Sequence, residues 1–520
     1  MGDGIRHSKL PTDAGISELG DDGAASKISQ PPRWRWVMLG ILSLDICVSY
    51  LPYYWFVPIL RQTMQVYGVT EGSLNMFCVL YALAYVPTAF VMGNTIEWLG
   101  CHRTFVLAMG LTVVGCLARC GPSFVGYQEQ GFLVGHMNVA PVAGAFVHSP
   151  PGATRNFMWL LAGQTLCAMG QPFLVNSTSQ MGAAWFPPKE RPTAALVSNL
   201  MHFIGSSLSF MLPPLVVAEQ SDPIVAGRQV ARLLQLQFVI ALVSFVVTLL
   251  FSRPAPLKKL TSSAGTNSTS CTRSLVGELR GIMNCCDFWL VNGYFAIFTA
   301  LCHAFDAVEG SLLDHAGYSP SISAWSGVAC CVVSVLITFL DARMMEDASS
   351  YRLALKGSSL AMIVSLLGAC LCLHFQLPNW AFVASIGVMG LTVPAFGGSI
   401  ELGSEVCFPA REATVSAVLE AFANLAAIAG IILTQYLIDI GLGVGVFVLL
   451  AGIAFVGGCL VFCMSSRLKR TEAERTQDIE TATRNCLEDG GGMELVKVVK
   501  HFGEQVGDRT AMDEAKHVSF

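Results

Sequence analysis

Six ionisable side chains lie within long apolar stretches of the sequence, where a charge is energetically costly. They are Asp45, His202, His303, Asp306, Glu309 and Glu420. A charged side chain at the centre of a membrane span costs about 2.5–3.5 kcal/mol on insertion scales, so such residues usually face a cavity or a partner. His303 and Asp306 are three residues apart, and Glu420 and Asn424 are four apart, so each pair shares one face of a helix.

The chemistry of these six residues predicts an acidic interior. Four of them are carboxylates, and we assign no Lys or Arg to the same apolar stretches. An acidic interior suits a cationic or amphipathic substrate, or proton coupling, for which we assign Asp45, Asp306 and Glu309. Histidine titrates near pH 6.5 and can also ligate haem iron, so the two histidines fit either idea. The alternative for each group is a hydrogen bond to a neighbouring helix without any contact to a substrate.

The composition indicates a protein that resides in a lipid bilayer. Of the 520 residues, 53% are hydrophobic and only 13% are charged, against roughly 25% charged in soluble proteins. The net charge of −5 argues against a nucleic-acid partner. The 18 cysteines lie mostly in apolar runs, which indicates neither a zinc site nor a disulfide framework. The sequence contains no P-loop, nucleophile elbow or zinc-protease motif, so we predict neither an enzyme nor a bound cofactor.

Twelve stretches are apolar over the roughly 20 residues that a helix needs to cross a bilayer. We therefore predict an all-α membrane protein with twelve transmembrane helices in two pseudo-symmetric six-helix bundles. Most of the 31 Lys and Arg residues fall on the side of the two tails, which predicts that both termini are cytoplasmic. The predicted spans, numbered 1 to 12, lie near 36–60, 73–95, 103–120, 156–181, 193–218, 230–252, 287–308, 322–341, 353–374, 380–402, 413–437 and 443–465.

These spans predict five segments along the chain. A disordered cytoplasmic tail and an N-terminal bundle with an outer-loop insertion precede a cytoplasmic central loop, a C-terminal bundle and a second cytoplasmic tail. The corresponding ranges are 1–32, 33–252 with the insertion at 121–155, 253–286, 287–465 and 466–520. Prolines in spans 1, 5 and 10 predict broken helices there, because proline removes a backbone hydrogen bond. The alternative for each proline is a kink that serves only the packing of the helix.

Two motifs recur at corresponding loops of the two halves. The pattern F-P-x-[KR]-E occurs at 186–190 and at 408–412. An acid followed by a base occurs after spans 2 and 8, and we assign to it a conformational latch formed by Gly93, Glu97, Arg103, Asp341 and Arg343. The alternative is ordinary clustering of charge in cytoplasmic loops. This duplication, with a basic central loop, resembles the layout of the major facilitator superfamily, whose halves rock about a site at the membrane midplane.

A closer resemblance rests on the stretch Gly163-Gln-Thr-Leu-Cys-Ala-Met-Gly-Gln171-Pro-Phe, followed by Trp185-Phe186, Glu190, Gly205 and Pro213-Pro214. Together with Arg35 to Val69 and with 401–412, it is similar to the feline leukaemia virus subgroup C receptor-related transporters. The resemblance implies a substrate such as haem, choline, ethanolamine or a pyridoxine-like vitamin. In the choline-type members an aromatic cage and amide side chains hold the quaternary ammonium group. Their positions carry over to Tyr53, Gln171, His202, His303 and Asn424.

The sequence therefore predicts a secondary transporter, facilitative or proton-coupled, that works by alternating access. The predicted substrate is a small organic cation or an amphipathic cofactor, haem or choline-like, and the predicted substrate-binding residues are Tyr53, Gln171, His202, His303, Asn424 and Glu420. We predict a monomer, in the plasma membrane rather than an organelle. The alternative function is a non-transporting receptor or sensor that keeps the transporter fold and binds a partner through the 121–155 outer loop.

Overall fold

A computed structural model describes residues 33–124, 151–187, 190–219, 223–254, 275–319, 321–344, 348–464, 469–470 and 472–473. Every regular element in these ranges is helical, and the twelve predicted spans are all present. A short helix, Leu275–Met283, precedes span 7. The spans are span 1 (Trp34–Tyr50, Val57–Ile59 and Leu60–Tyr67), spans 2 and 3 (Glu71–Phe124), span 4 (Pro151–Trp185), span 5 (Arg191–Val216), span 6 (Pro223–Phe251), span 7 (Cys286–His315), span 8 (Ser321–Met344), span 9 (Ala348–His374), span 10 (Asn379–Met389, Gly390–Thr392 and Val393–Val406), span 11 (Glu412–Asp439) and span 12 (Gly445–Cys463).

Ten of these spans, all except 1 and 4, contain a described helix that is long and apolar enough to cross a membrane unaided. Span 1 falls short because its longest continuous helix has only 17 residues. Span 4 has ample length but carries the amides Gln164, Gln171 and Asn176. Span 1 is thus an exception because its helix is interrupted, and span 4 because it carries polar side chains.

The two halves meet mainly through spans 1 and 7, spans 2 and 11, and spans 5 and 8. We call the membrane side on which span 1 begins and span 12 ends the tail side, and the opposite one the far side. Spans 2 and 3 are separated on the tail side by a turn at Gly100, whose φ of 75° is favourable only for glycine. This turn places span 2 at the interface between the halves, with span 3 behind it.

The predicted helix breaks are present in spans 1 and 10 but not in span 5. Span 1 is interrupted between Tyr50 and Val57, and span 10 passes through a 3-10 turn before Pro394. The prediction for span 5 was wrong, because its helix continues through Pro213 and Pro214 to Val216. Both prolines lie in the last turn of this helix, where there is little helix left to break.

Two boundaries differ from the sequence-based expectation at the predicted outer loop. Span 3 continues to Phe124 and span 4 begins at Pro151, so both ends of the range 121–155 are helical. The rest of that loop, residues 125–150, lies outside the described residues, as do 1–32, 255–274 and most of 466–520. The assignment of these segments as tails and loops stays a prediction.

Candidate functional site

The broken part of span 1 forms the centre of the candidate site. Pro52 and Pro58 flank a non-helical stretch in which Tyr53 and Tyr54 stack on each other, with ring centroids 4.3 Å apart and planes inclined by 10°. Consecutive residues of an α-helix point about 100° apart, so two neighbouring rings can stack this way only where the helix is unwound. The break thus places two tyrosine rings side by side.

Side chains of neighbouring spans bind the backbone carbonyls that the break leaves free. Gln164 of span 4 donates to the Pro52 carbonyl at 2.9 Å, and Ser209 of span 5 donates to the Leu51 carbonyl at 2.9 Å. The Cys78 thiol of span 2 lies 3.6 Å from the Tyr53 carbonyl. An unwound segment at membrane depth is stable only when such groups are satisfied by protein or water. These contacts hold the two tyrosines in position.

Further aromatic rings extend this pair into a cluster. Tyr81 of span 2 stacks on Tyr53 at 4.5 Å, and Phe210 of span 5 packs on Tyr54 at 5.3 Å. One turn earlier in span 1, Tyr50 stacks on His202 of span 5 at 4.2 Å. The cluster presents electron-rich ring faces of the kind that attract organic cations.

Span 7 brings polar groups from the other half to the same cluster. The His303 Nδ1 atom is 2.6 Å from the Tyr54 hydroxyl and 3.2 Å from the Tyr53 hydroxyl. Asp306 lies one turn along the same face of span 7 and interacts electrostatically with Tyr53 and Tyr54. The predicted pair His303 and Asp306 therefore lies at the interface between the halves, where His303 contacts span 1 directly.

The remaining predicted substrate residues come from spans 4 and 11. Gln171 is 5% exposed, and its Nε2 group has no hydrogen-bond partner among the described residues. Glu420 interacts electrostatically with Tyr50 and Tyr85. The Asn424 amide instead donates to the Glu420 carbonyl one turn earlier, at 2.8 Å. Spans 4 and 11 thus contribute an unpaired buried donor and a carboxylate.

Partial exposure indicates an interior space beside these groups. His202, His303, Asp306 and Glu420 lie in the middle of their spans, yet each is only partly buried. His202 and His303 contact rings of other spans, and Asp306 and Glu420 lie near tyrosines of other spans. Their remaining exposed surface therefore faces the interior. A separate cavity of about 10 Å³ adjoins Tyr53 on the far side, large enough for about one water molecule.

Two of the predicted proton-coupling carboxylates lie apart from this cluster. Asp45 accepts hydrogen bonds from Ser244 at 2.7 Å and from Thr248 at 2.8 Å, both in span 6. Glu309 accepts hydrogen bonds from Ser323, at 3.2 Å, and from Ser326, both in span 8. Each carboxylate therefore joins two spans of the same half, which is the structural role weighed as the alternative.

The structure does not describe the side-chain contacts of most of the predicted latch residues. The side chains of Gly93, Glu97, Asp341 and Arg343 lie outside the described residues, and Arg103 is exposed.

Residues of the repeated F-P-x-[KR]-E motifs form the ion pairs that the structure describes on the tail side. They join Arg35 to Glu190 at 3.0 Å, Arg411 to Glu278 at 3.0 Å, and Arg470 to Glu412 at 3.5 Å.

Sequence reasoning missed several residues of the cluster and one buried cation. Tyr50, Tyr54 and Tyr81 were not assigned, although the prolines around Tyr53 and Tyr54 were a signal for an unwound segment. The expectation that the spans contain no Arg was wrong, because Arg119 of span 3 is 0% exposed. Its guanidinium group lies 5.1 Å from the Phe56 ring centroid. Its position near the end of span 3 made it resemble a residue of the outer loop.

Comparison with known proteins identifies the fold family. The profile of the Major Facilitator Superfamily matches residues 42–396. The chain belongs to this superfamily. "Solute carrier family 49 member A3" of Danio rerio is 23% identical over 414 residues, covering 78% of this chain and 79% of that protein. "Choline/ethanolamine transporter FLVCR1" of Felis catus is 22% identical over 424 residues, covering 80% of this chain and 70% of that one.

A solved structure agrees on the fold. The xylose transporter XylE from E. coli, in a partially occluded inward-open conformation, aligns with a TM-score of 0.60 at 10% identity. The alignment covers 83% of this chain and 98% of that one. The predicted resemblance and the predicted two-bundle fold are therefore confirmed. The protein is a multi-pass membrane protein of a superfamily of transporters rather than enzymes.

Proposed function

We propose that this protein transports a small organic cation of the choline and ethanolamine class by alternating access around the cluster at the span 1 break. The observation that carries the proposal is the convergence of ring faces from span 1 with the partly exposed carboxylate of Glu420. A desolvated ammonium group gains about 2 kcal/mol or more from an aromatic face, and a carboxylate neutralises its charge. The name of the Felis catus relative gives independent support for this substrate class.

Each of the proposed substrate residues supplies a different interaction. Tyr50 offers a ring face for the cation, and Tyr53, stacked between Tyr54 and Tyr81, holds the aromatic cluster in place, while Glu420 offers the counter-charge. The unpaired amide of Gln171 can donate to a hydroxyl oxygen, which choline and ethanolamine both carry. His202 and His303 complete the wall of the space, and Asn424 lies one turn from Glu420 on the same face of span 11.

The charges of the site favour an organic cation over haem. Haem presents two propionate groups, which would meet the carboxylates Asp306 and Glu420 in an interior of low dielectric constant. We retain haem and pyridoxine as comparison ligands.

Transport is preferred to the receptor alternative because of the contacts on the far side. Arg61 and Asp314 form an ion pair at 2.7 Å, and Asn75 donates to Gln435 at 2.5 Å, each across the two halves. Such polar contacts can break and re-form as the halves rock, whereas a static receptor does not need them. We also propose cytoplasmic tails, on the distribution of Lys and Arg in the sequence, and we keep the plasma membrane as the proposed location.

Ligand-dependent thermal stabilisation of the purified protein tests the substrate class. We expect choline and ethanolamine to raise the unfolding temperature, and Tyr53→Leu or Glu420→Gln to remove this shift. Glu309→Gln is the matched control, since the described hydrogen bonds of this carboxylate come from hydroxyls of its own half. Stabilisation by haem or pyridoxine but by neither amine would contradict the proposal.

A further inference from the structure

The hydrogen bond between Asn176 and Tyr85 fixes how one buried hydroxyl group can act. Asn176 of span 4 donates from Nδ2 to the Tyr85 hydroxyl of span 2 at 2.9 Å and to the Pro172 carbonyl, also at 2.9 Å. A carbonyl only accepts hydrogen bonds, so the atom that faces it has to be the amide nitrogen rather than the amide oxygen. An amide nitrogen only donates, and Tyr85 is therefore the acceptor in its bond with Asn176.

The Tyr85 hydroxyl consequently keeps a proton that it can donate. A phenolic hydroxyl both donates and accepts, and within the described part of the chain the one hydrogen bond of Tyr85 is the bond that it accepts from Asn176. Tyr85 is 7% exposed, and a buried donor without an acceptor destabilises the folded protein. Asn176 lies in the middle of its span, faces span 2 and is only partly buried, which places interior space beside this pair.

Tyr85 lies where three spans meet beside the proposed cation site. It belongs to one apolar cluster with Phe173 of span 4 and Ala421 of span 11. Ala421 directly follows Glu420 in the sequence, and the Glu420 carboxylate interacts electrostatically with both Tyr50 and Tyr85. The unused proton of Tyr85 therefore lies near the carboxylate to which we assign the counter-charge of the cation.

A second unused donor lies in the same region of span 4. The Nε2 group of Gln171 is buried and has no acceptor in the ranges that the structure describes. Gln171 precedes Phe173 by two residues, and Phe173 packs against the apolar cluster of Tyr85. The carboxylate of Glu420 attracts a positive charge, whereas the two donors need an acceptor atom. A ligand that satisfies all three groups carries a cation at one end and an oxygen acceptor at the other.

We propose that Tyr85 recognises the hydroxyl oxygen of the transported cation and that Asn176 is the positioning residue for Tyr85. The substrate class then narrows from organic cations in general to amino alcohols and their N-methylated forms, in which a short carbon chain joins the nitrogen to a hydroxyl group. Tyr85 donates to this oxygen while Glu420 faces the ammonium group. The inference rests on the proposed function, which supplies the cation.

Competition binding to the purified full-length protein measures this recognition as a ratio of two affinities. The ligands are choline and propyltrimethylammonium, in which a methyl group replaces the choline hydroxyl at nearly the same size. We expect wild type to bind choline more tightly, and Tyr85→Phe to reduce this preference about ten-fold, because one hydrogen bond to the oxygen is lost. Both ligands meet the same protein, so the ratio does not depend on how much of a variant is folded.

Asn176→Leu tests the positioning role. The preference for choline should fall in this variant as well, because the Tyr85 hydroxyl can then turn away from the substrate. Thr88→Val is the matched control, since it removes another buried hydroxyl of span 2, whose bond goes to the Ala84 carbonyl of the same helix. This control should keep the preference of wild type. An unchanged preference in Asn176→Leu would reject the role of Asn176.

Two results with Tyr85→Phe would contradict the recognition of the hydroxyl. Either an unchanged preference, or an equal loss of affinity for both cations, would show that Tyr85 does not bind the substrate oxygen; the equal loss would mean that it acts on the cation through Glu420. Equal affinity of wild type for the two cations would also overturn the inference, but it would leave the transport of organic cations intact. Binding of neither cation would instead reject the proposed function.

Discussion

Gln171 is the residue at which structural and functional roles can be separated most clearly. Its Nε2 group is buried without a partner among the described residues, whereas the Nε2 group of Gln164, two turns earlier on span 4, donates to the Pro52 carbonyl. A buried polar group without a partner lowers the stability of the folded state. Such a group is retained at little benefit to the fold, and a bound substrate would supply the missing partner.

Replacing each amide by leucine should therefore have opposite effects. Gln171→Leu should leave thermal stability unchanged or higher but weaken choline binding about ten-fold, as for one lost hydrogen bond of about 1.4 kcal/mol. Gln164→Leu should cost about 1–3 kcal/mol of stability, because the Pro52 carbonyl loses its donor. Thermal unfolding with and without choline measures both effects. Unaltered choline affinity in Gln171→Leu would remove this residue from the proposed site.

At the scale of single residues, the sequence indicated which groups are unusual but not what they contact. The cost of a charge in a span singled out Asp45, Asp306 and Glu309 equally. Two of them bind hydroxyl groups of other spans, such as Thr248 for Asp45 and Ser323 for Glu309. Hydropathy and spacing carry no information about these distant partners, so they could not rank the three carboxylates.

At the scale of elements, spans 3 and 4 cross closely beside the aromatic cluster. Gly115 and Gly163 face each other, and a Cβ atom built on Gly163 would lie 2.5 Å from the Gly115 carbonyl oxygen and 2.6 Å from Arg119 Cγ. Spans can approach this closely only with glycine at the crossing. The close crossing buries Arg119 beside Phe56 and the Cys167 thiol, near the Tyr81 ring that stacks on Tyr53.

Alanine at the crossing tests this packing. Gly163→Ala should lower the free energy of unfolding by about 1–3 kcal/mol, because the backbone of span 3 would have to move. The matched control in the same span is Gly182→Ala, whose Cβ would meet nothing within 4 Å. This control should be neutral or stabilising by up to about 1 kcal/mol, since alanine favours helix. Equal thermal unfolding of the two variants would contradict the proposed role of the crossing.

The elements themselves were largely predictable from the sequence. Runs of apolar residues located the twelve spans, and Pro52 and Pro58 located the break in span 1, since proline removes a backbone donor. The same rule failed for Pro213 and Pro214, because the effect of a proline depends on how much helix follows it. The stacking of Tyr53 on Tyr54 could not be predicted, because it depends on backbone angles within the break.

At the scale of the whole molecule, the two halves are joined most directly on the far side. Arg61 binds Asp314, Asn75 binds Gln435, and Ser319 donates to Glu219. Gly310 of span 7 also lies against the Val57 carbonyl of span 1, so closely that a Cβ there would be 2.2 Å from the oxygen. These contacts close the far side above the cluster. The tail-side ion pairs of Arg35 and Arg411 lie within single halves and do not oppose movement between them.

Alternating access requires the far-side contacts to separate in every transport cycle. A disulfide between Arg61→Cys and Asp314→Cys would hold the far side closed while leaving the cluster intact. Each single variant serves as a control for the other cysteines of the chain, and should exchange choline equally well with or without oxidant. Formation of the crosslink is verified by protease cleavage in the central loop, after which the two halves remain joined only if they are crosslinked.

Choline counterflow by the double variant in proteoliposomes, before and after oxidation, is therefore the decisive measurement. We predict that the reduced protein exchanges labelled choline, that crosslinking abolishes the exchange, and that a reductant restores it. Undiminished exchange by the crosslinked protein would contradict alternating access through this interface.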